Sequence, residues 1–127
     1  MSEPASAILN LLRRGERDAA EKLARTLPEL DIFESAALGA LEHLIERCEE
    51  DASCVNTYDS EGRTPLHLAA SFGNKACVKE LLRRGAQVDA VSRNPAAVIP
   101  LEAALSNGYD AIAAVLRAAG ARGPSDP

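Results

Sequence analysis

The chain has 127 residues, 46% of them hydrophobic but only 3% aromatic, and a formal net charge of −5. That is one domain's worth of chain with enough apolar side chains for a core, so wholesale disorder is excluded. The acidic balance argues against a protein that tracks nucleic-acid phosphates, and 24 Ala and 16 Leu with few β-branched or aromatic residues argue against an all-β fold.

In chain order, the start MSEPASAILNLLRRGERD lacks a basic segment followed by a long apolar one, so no signal peptide is expected. No apolar run reaches the roughly 18 residues of a membrane helix, so no membrane partner is expected either. Leu11-Leu12-Arg13-Arg14-Gly15 followed by Ala19, Ala20 and Leu23 predicts a short helix pair at about 5–27. A second pair is predicted at about 30–51, on Ser35-Ala36-Ala37-Leu38-Gly39, Leu44 and Cys48. Asp59-Ser60-Glu61-Gly62 is a turn signal. Thr64 then suits an N-cap, Pro65 the first helical position, and Gly73 a helix end. The third pair therefore runs over about 64–84, with Cys77, Val78, Leu81 and Leu82 as the buried stripe of its second helix. A fourth pair is predicted at about 99–119, and turns project at about 52–63 and 85–98. The segment 122–127, rich in Gly and Pro, reads as a flexible tail.

These pairs repeat. Thr64-Pro65-Leu66-His67-Leu68-Ala69-Ala70, Gly73, Leu81-Leu82 and Gly85-Ala86 recur as Ile99-Pro100-Leu101-Glu102-Ala103-Ala104, Gly108, Leu116 and Gly120, each 35 positions on. Gly39 precedes Gly73 by 34 positions, whereas Gly15 precedes Gly39 by only 24, which leaves no room for a projecting turn. The Thr-Pro-Leu-His stretch and the 33 residues from Asp59 to Val91 resemble an ankyrin repeat. The run Asp31-Ile32-Phe33-Glu34-Ser35-Ala36-Ala37-Leu38-Gly39 is similar to that of short bacterial ankyrin-repeat proteins. The resemblance implies an all-α solenoid of stacked helix-turn-helix units with projecting β-turn or hairpin loops. Its expected divisions are an N-terminal capping helix pair at 1–30, repeats at 31–58, 59–91 and 92–121, and the tail at 122–127.

Three departures stand out. Ile99 and Glu102 replace the Thr and His of the preceding unit, so that unit loses a cap worth roughly 1 kcal/mol. Arg47 falls where the pattern wants Leu, which should turn its helix onto Leu41, Leu44, Ile45 and Cys48. The last helix is rich in Ala and shows no obvious polar outer face, which a terminal unit should have, so either Asp110 and Arg117 suffice as its cap or something covers this end.

Residues able to do chemistry are sparse. A lone His is a weak catalytic clue, and the resemblance gives His67 a structural role, bonding neighbouring turns. His43 sits on an acidic helix and reads as a surface residue. Cys48 and Cys77 occupy apolar positions, and Cys54 in its turn is the thiol most open to solvent, with no base near enough to activate it. An odd thiol count without CxxC argues for a reducing, cytoplasmic compartment and against structural zinc. There is no nucleophile elbow, phosphate loop or calcium loop; Glu49-Glu50-Asp51 reads as a solvated face. No enzyme activity, cofactor or metal is expected.

Charge is unevenly spread: residues 31–62 carry nine acids and one base, whereas 63–127 carry five acids and eight bases. These charges either pair across units or steer a basic partner. The resemblance implies a protein partner held by turn tips and by the first helix of each unit, on a concave face. It places that surface at Tyr58, Ser60, Glu61 and Arg63, at Ser71 and Phe72, at Arg93 and Asn94, and at Ser106 and Asn107. Phe72 is expected to be an exposed aromatic near an Arg, the pair of residue types that dominates hot spots. A monomer or weak homodimer is expected, and self-association through the Ala-rich C-terminal end is the alternative.

Overall fold

The structure is a computed structural model that describes residues 6–121; the expected tail at 122–127 lies outside the described residues. Among the described residues, eight α-helices form four pairs: α1 Ala7–Arg13 with α2 Arg17–Thr26, α3 Ile32–Leu38 with α4 Leu41–Glu50, α5 Pro65–Ser71 with α6 Lys75–Arg83, and α7 Pro100–Ser106 with α8 Asp110–Ala118. A single 3-10 turn, Ala52–Asn56, follows α4, and no strand occurs among the described residues.

The first helices of the units, α1, α3, α5 and α7, stack in one layer, and α4, α6 and α8 stack behind them. Ala36, Ala37, Ala69, Ala70 and Ala104 are fully buried between neighbouring first helices. Small side chains there let the helices approach closely, so seven-residue helices too short to stand alone are held by packing. Leu66, Leu68, Leu81, Leu101 and Leu116 fill the remainder of a core that runs the length of the stack.

The repeat read from the glycines is a repeat of backbone geometry. Gly15, Gly39, Gly73 and Gly108 each join the two helices of a unit, with φ of 77°, 78°, 78° and 77°. This left-handed conformation is the one a side chain disfavours, and it recurs at the joint of every helix pair.

The departures resolve locally. Thr64 caps α5 by accepting from the His67 N–H at 3.3 Å, with Pro65 at the first helical position. Ile99 cannot cap α7, but Glu102 reaches back to accept from the Ile99 N–H at 3.1 Å, so half of the capping box survives. In α4, Leu44 and Cys48 are buried and Leu41 and Ile45 half-buried, as the displaced stripe predicts. Arg47 lies along the surface, 17% exposed, paired with Glu50 at 3.0 Å and Glu29 at 3.4 Å. On α8, Ala111, Ala114 and Ala118 face solvent, next to exposed Leu105 and Tyr109.

Candidate functional site

The projecting turns are built by bonds from one turn to the next. The Arg93 N–H donates to the Gly62 carbonyl at 2.6 Å, and a Cβ on Gly62 would stand 2.2 Å from the Arg93 carbonyl oxygen. Only glycine permits that approach. The Asn94 side-chain amide donates to the Glu61 carbonyl at 3.1 Å, while its oxygen accepts from the Ser92 hydroxyl at 2.9 Å and the Ala96 N–H at 3.1 Å. Asn56 clamps the following turn in the same way: it donates to the Gly85 carbonyl at 3.2 Å and accepts from the Gln87 N–H at 2.8 Å.

These contacts decide what each expected surface residue offers. Tyr58 is half-buried; its hydroxyl donates to the Val91 carbonyl at 3.1 Å, and the Arg93 guanidinium lies 3.9 Å above its ring. Arg63 is 17% exposed and bound to Glu61 at 3.0 Å, and Glu61 also pairs with Arg13 of the first unit. Phe72 is half-buried and packs on the core, so it differs from the exposed aromatic expected of it. Ser71 is half-buried beside it. Ser60, Arg93, Ser106 and Asn107 are exposed. Ser60 and Arg93 come from consecutive turns, and Ser106 and Asn107 from the end of α7.

His67 is buried and joins two units. Its Nδ1 accepts from the Thr64 N–H at 3.2 Å, which leaves Nε2–H to donate to the Val98 carbonyl at 2.7 Å. Burial pushes its pKa down against the smaller opposing effect of the Val98 bond, so the ring is a neutral strut between turns. His43 is exposed on α4.

The three thiols are free. Cys54 is half-buried, with its Sγ 3.9 Å from that of Cys48. Burial, then the neighbouring Cys48, pushes the Cys54 thiol up to about 12, and burial pushes Cys77 up to about 11. Thiolate chemistry is thereby suppressed at both. Among the described residues, no three His, Cys, Asp or Glu side chains are grouped to hold a metal ion. No helix of the described residues is long and apolar enough to cross a membrane.

Sequence reasoning did not find one feature. Asp31 and Glu34 at the start of α3 and Asp59 in the first turn share one cavity of about 390 Å³ with the rings of Phe33 and Tyr58. Asp31 and Glu34 also wall an adjoining cavity of about 410 Å³, together with Glu29, Glu50, Asp51 and the Arg47 that pairs with Glu29 and Glu50. The uneven charge along the chain was its only signal, because Asp31 and Asp59 lie 28 residues apart.

A family model for ankyrin repeats, in three copies, matches residues 32–124. The chain is 31% identical over 105 residues to human "Ankyrin repeat family A protein 2", covering 83% of this chain and 32% of that protein. It is 38% identical over 81 residues to human "DNA-binding protein RFXANK", covering 64% of this chain and 30% of the relative. It is 44% identical over 62 residues to human "SMC5-SMC6 complex localization factor protein 1", covering 49% of this chain and 6% of the relative. The chain thus spans about a third or less of the length of these curated relatives.

Proposed function

The chain belongs to the ankyrin-repeat family, whose repeats are generally protein–protein interaction modules, and on that premise we propose that it binds a partner protein through its turn tips and the concave face of its first helices. The observation that carries this reading is the bonding between successive turns. Tyr58, Gly62, Asn94 and Asn56 hold the tips in place through main-chain and side-chain bonds, so binding orders little that is not already ordered. Exposed Ser60, Arg93, Ser106 and Asn107 are the adaptable contacts on that rigid frame. Arg93 is the strongest anchor, because its guanidinium is already oriented on the Tyr58 ring. The module is non-enzymatic and works in the cytoplasm.

Affinity capture by the full chain, beside a Ser60→Arg/Ser106→Arg variant with an unchanged helical circular-dichroism spectrum, tests the reading. A saturable protein partner that wild type binds and the variant loses is the expected result. Absence of any saturable protein partner overturns it.

One observation favours self-association as a second reading: Leu105 is 40% exposed, and α8 exposes Ala111, Ala114 and Ala118 alongside Asp110 and Arg117. Sedimentation of wild type as a dimer and of Ala114→Glu as a monomer would establish it. A wild-type monomer at high concentration would remove it.

A further inference from the structure

We propose that Cys48 and Cys54 form a modification site, a dithiol that a small organic disulfide converts reversibly into an internal disulfide between α4 and the first projecting turn. Neither residue belongs to the surface proposed for the partner protein.

The two residues lie six positions apart, Cys48 near the end of α4 and Cys54 in the 3-10 turn that follows it. The Cys54 thiol donates to the Cys48 Sγ across 3.9 Å, so the sulfurs need approach by only about 1.9 Å to reach a disulfide bond of about 2.0 Å. The main chain around Cys54 is already fixed. Its N–H donates to the Asp51 carbonyl at 3.1 Å, and its carbonyl accepts from the Thr57 N–H at 3.3 Å and the Thr57 hydroxyl at 2.7 Å. With the turn held at both ends, approach of the sulfurs falls to rotation of the side chains. Cys77 is 1% exposed on α6 and makes no thiol contact, so the pair is the one dithiol among the described residues.

Access orders the chemistry. Cys54 is half-buried and lines the cavity of about 410 Å³, whereas Cys48, 2% exposed, lies behind it and does not line that cavity. Leu30 and Ile32 supply apolar wall there, and five carboxylates outnumber Arg47, so an uncharged disulfide enters in preference to an anionic one. The Cys54 thiolate attacks one sulfur of the reagent. The bond from Sγ to that sulfur forms as the reagent's S–S bond breaks, and the departing thiolate takes up the proton that Cys54 gave to solvent. The Cys48 thiolate then attacks the Cys54 Sγ, the mixed disulfide breaks, and the second reagent thiol leaves protonated. Two protein thiols are oxidised to one disulfide and one organic disulfide is reduced to two thiols, so no other oxidant is consumed. Burial keeps both protein thiols protonated at neutral pH, so the exchange is slow and quickens as pH rises. The bond formed ties α4 to the segment whose Asn56 clamps Gly85 and Gln87 of the next turn.

For the test, the full chain, folded and in urea, is incubated at pH 8 with bis(2-hydroxyethyl) disulfide and quenched in acid, and the remaining thiols are blocked with N-ethylmaleimide. Cys48 and Cys54 fall in one tryptic peptide, after Arg47 and up to Arg63, and Cys77 falls in another. Mass spectrometry of the folded chain is expected to show the first peptide unlabelled and lighter by two hydrogens, restored by dithiothreitol, with Cys77 still a free thiol. The ratio of internal to mixed disulfide should exceed that of the urea-unfolded chain by about tenfold or more, because folding holds the sulfurs in contact. Cys48→Ala should stop at the mixed disulfide on Cys54, and the wild-type comparison stands whether or not that variant folds. Equal ratios in the folded and unfolded chain, a mixed disulfide that persists on wild-type Cys54, or a bond to Cys77 or to a second chain would each overturn the proposal. So would faster exchange with the anionic 3,3′-dithiodipropionate, or thiols still free after about a thousand half-lives of the unfolded chain's reaction.

Discussion

Asn74 stands against Gly39 of the preceding unit, and the two residues fit each other. The Asn74 amide donates to the Ala36 and Ala37 carbonyls at 2.7 Å each, closing the end of α3, while a Cβ on Gly39 would lie 2.7 Å from Asn74 Oδ1. One unit on, Tyr109 takes the place of Asn74, and its ring would meet a Cβ on Gly73 at 2.8 Å. Stacking is thus written into the turns that close the second and third helix pairs.

Gly39→Ala therefore suffers twice, from the left-handed backbone and from the displaced Asn74. Gly108→Ala suffers only from the backbone, since nothing lies within 4 Å of its Cβ. Left-handed strain alone costs about 1–2 kcal/mol. Urea unfolding should show Gly39→Ala less stable than Gly108→Ala. Equal losses would mean that Asn74 simply swings away.

His67 gives the fold a pH dependence of fixed sign. Its folded pKa lies below the ordinary value near 6.5, chiefly because it is buried. The folded chain then binds fewer protons than the unfolded one, so this contribution is complete above about pH 6.5 and is lost as pH falls below it. The urea midpoint of wild type should drop between pH 7.5 and pH 5. His67→Gln starts lower, by about 1–3 kcal/mol for the Val98 and Thr64 groups left without good partners, and has a flatter profile. Parallel profiles would assign the pH dependence to other groups.

The thiols should be slow. With Cys54 pushed up to about 12 and Cys77 to about 11, alkylation of the folded chain at pH 8 should run on the order of a hundredfold slower than in denaturant. Mass spectrometry of iodoacetamide-treated samples reads this directly. Rapid native labelling of Cys54 would contradict its burial beside Cys48.

Ala97 is the one non-glycine with positive φ among the described residues, at 47°. It sits in the turn that carries two extra residues, where Asn94 accepts its N–H at 3.2 Å and holds the strained bend. Ala97→Gly should stabilise the chain by about 1 kcal/mol, read as a raised urea midpoint. A lowered midpoint would show that the bend carries no strain.

What the sequence made legible was periodic. Gly15, Gly39, Gly73 and Gly108 marked the joints of the helix pairs, and Thr64-Pro65 marked a helix start, because each answers a backbone need that few residues meet. The displaced stripe of α4 was legible from Arg47 for the same reason. The surface was harder to read. Tyr58 and Arg93 each looked available in sequence, yet they stack on each other from turns 35 residues apart. Phe72 looked exposed at the end of its helix, yet it is half-buried on the core. The acidic cavity needs Asp31, Glu34 and Asp59 from a helix start and a turn, and no local pattern links them. Contacts between units decide such positions, and periodicity does not report them.

The central claim is that the turn tips and the end of each first helix meet a partner protein. Site-specific photo-crosslinking tests it most directly, with the probe placed in turn at Ser60, at Ser106 and, as the control, at exposed Lys79 on α6. The account predicts a single partner adduct from Ser60 and from Ser106 and none from Lys79. Adducts from Lys79 alone, or equally from all three positions, would contradict it.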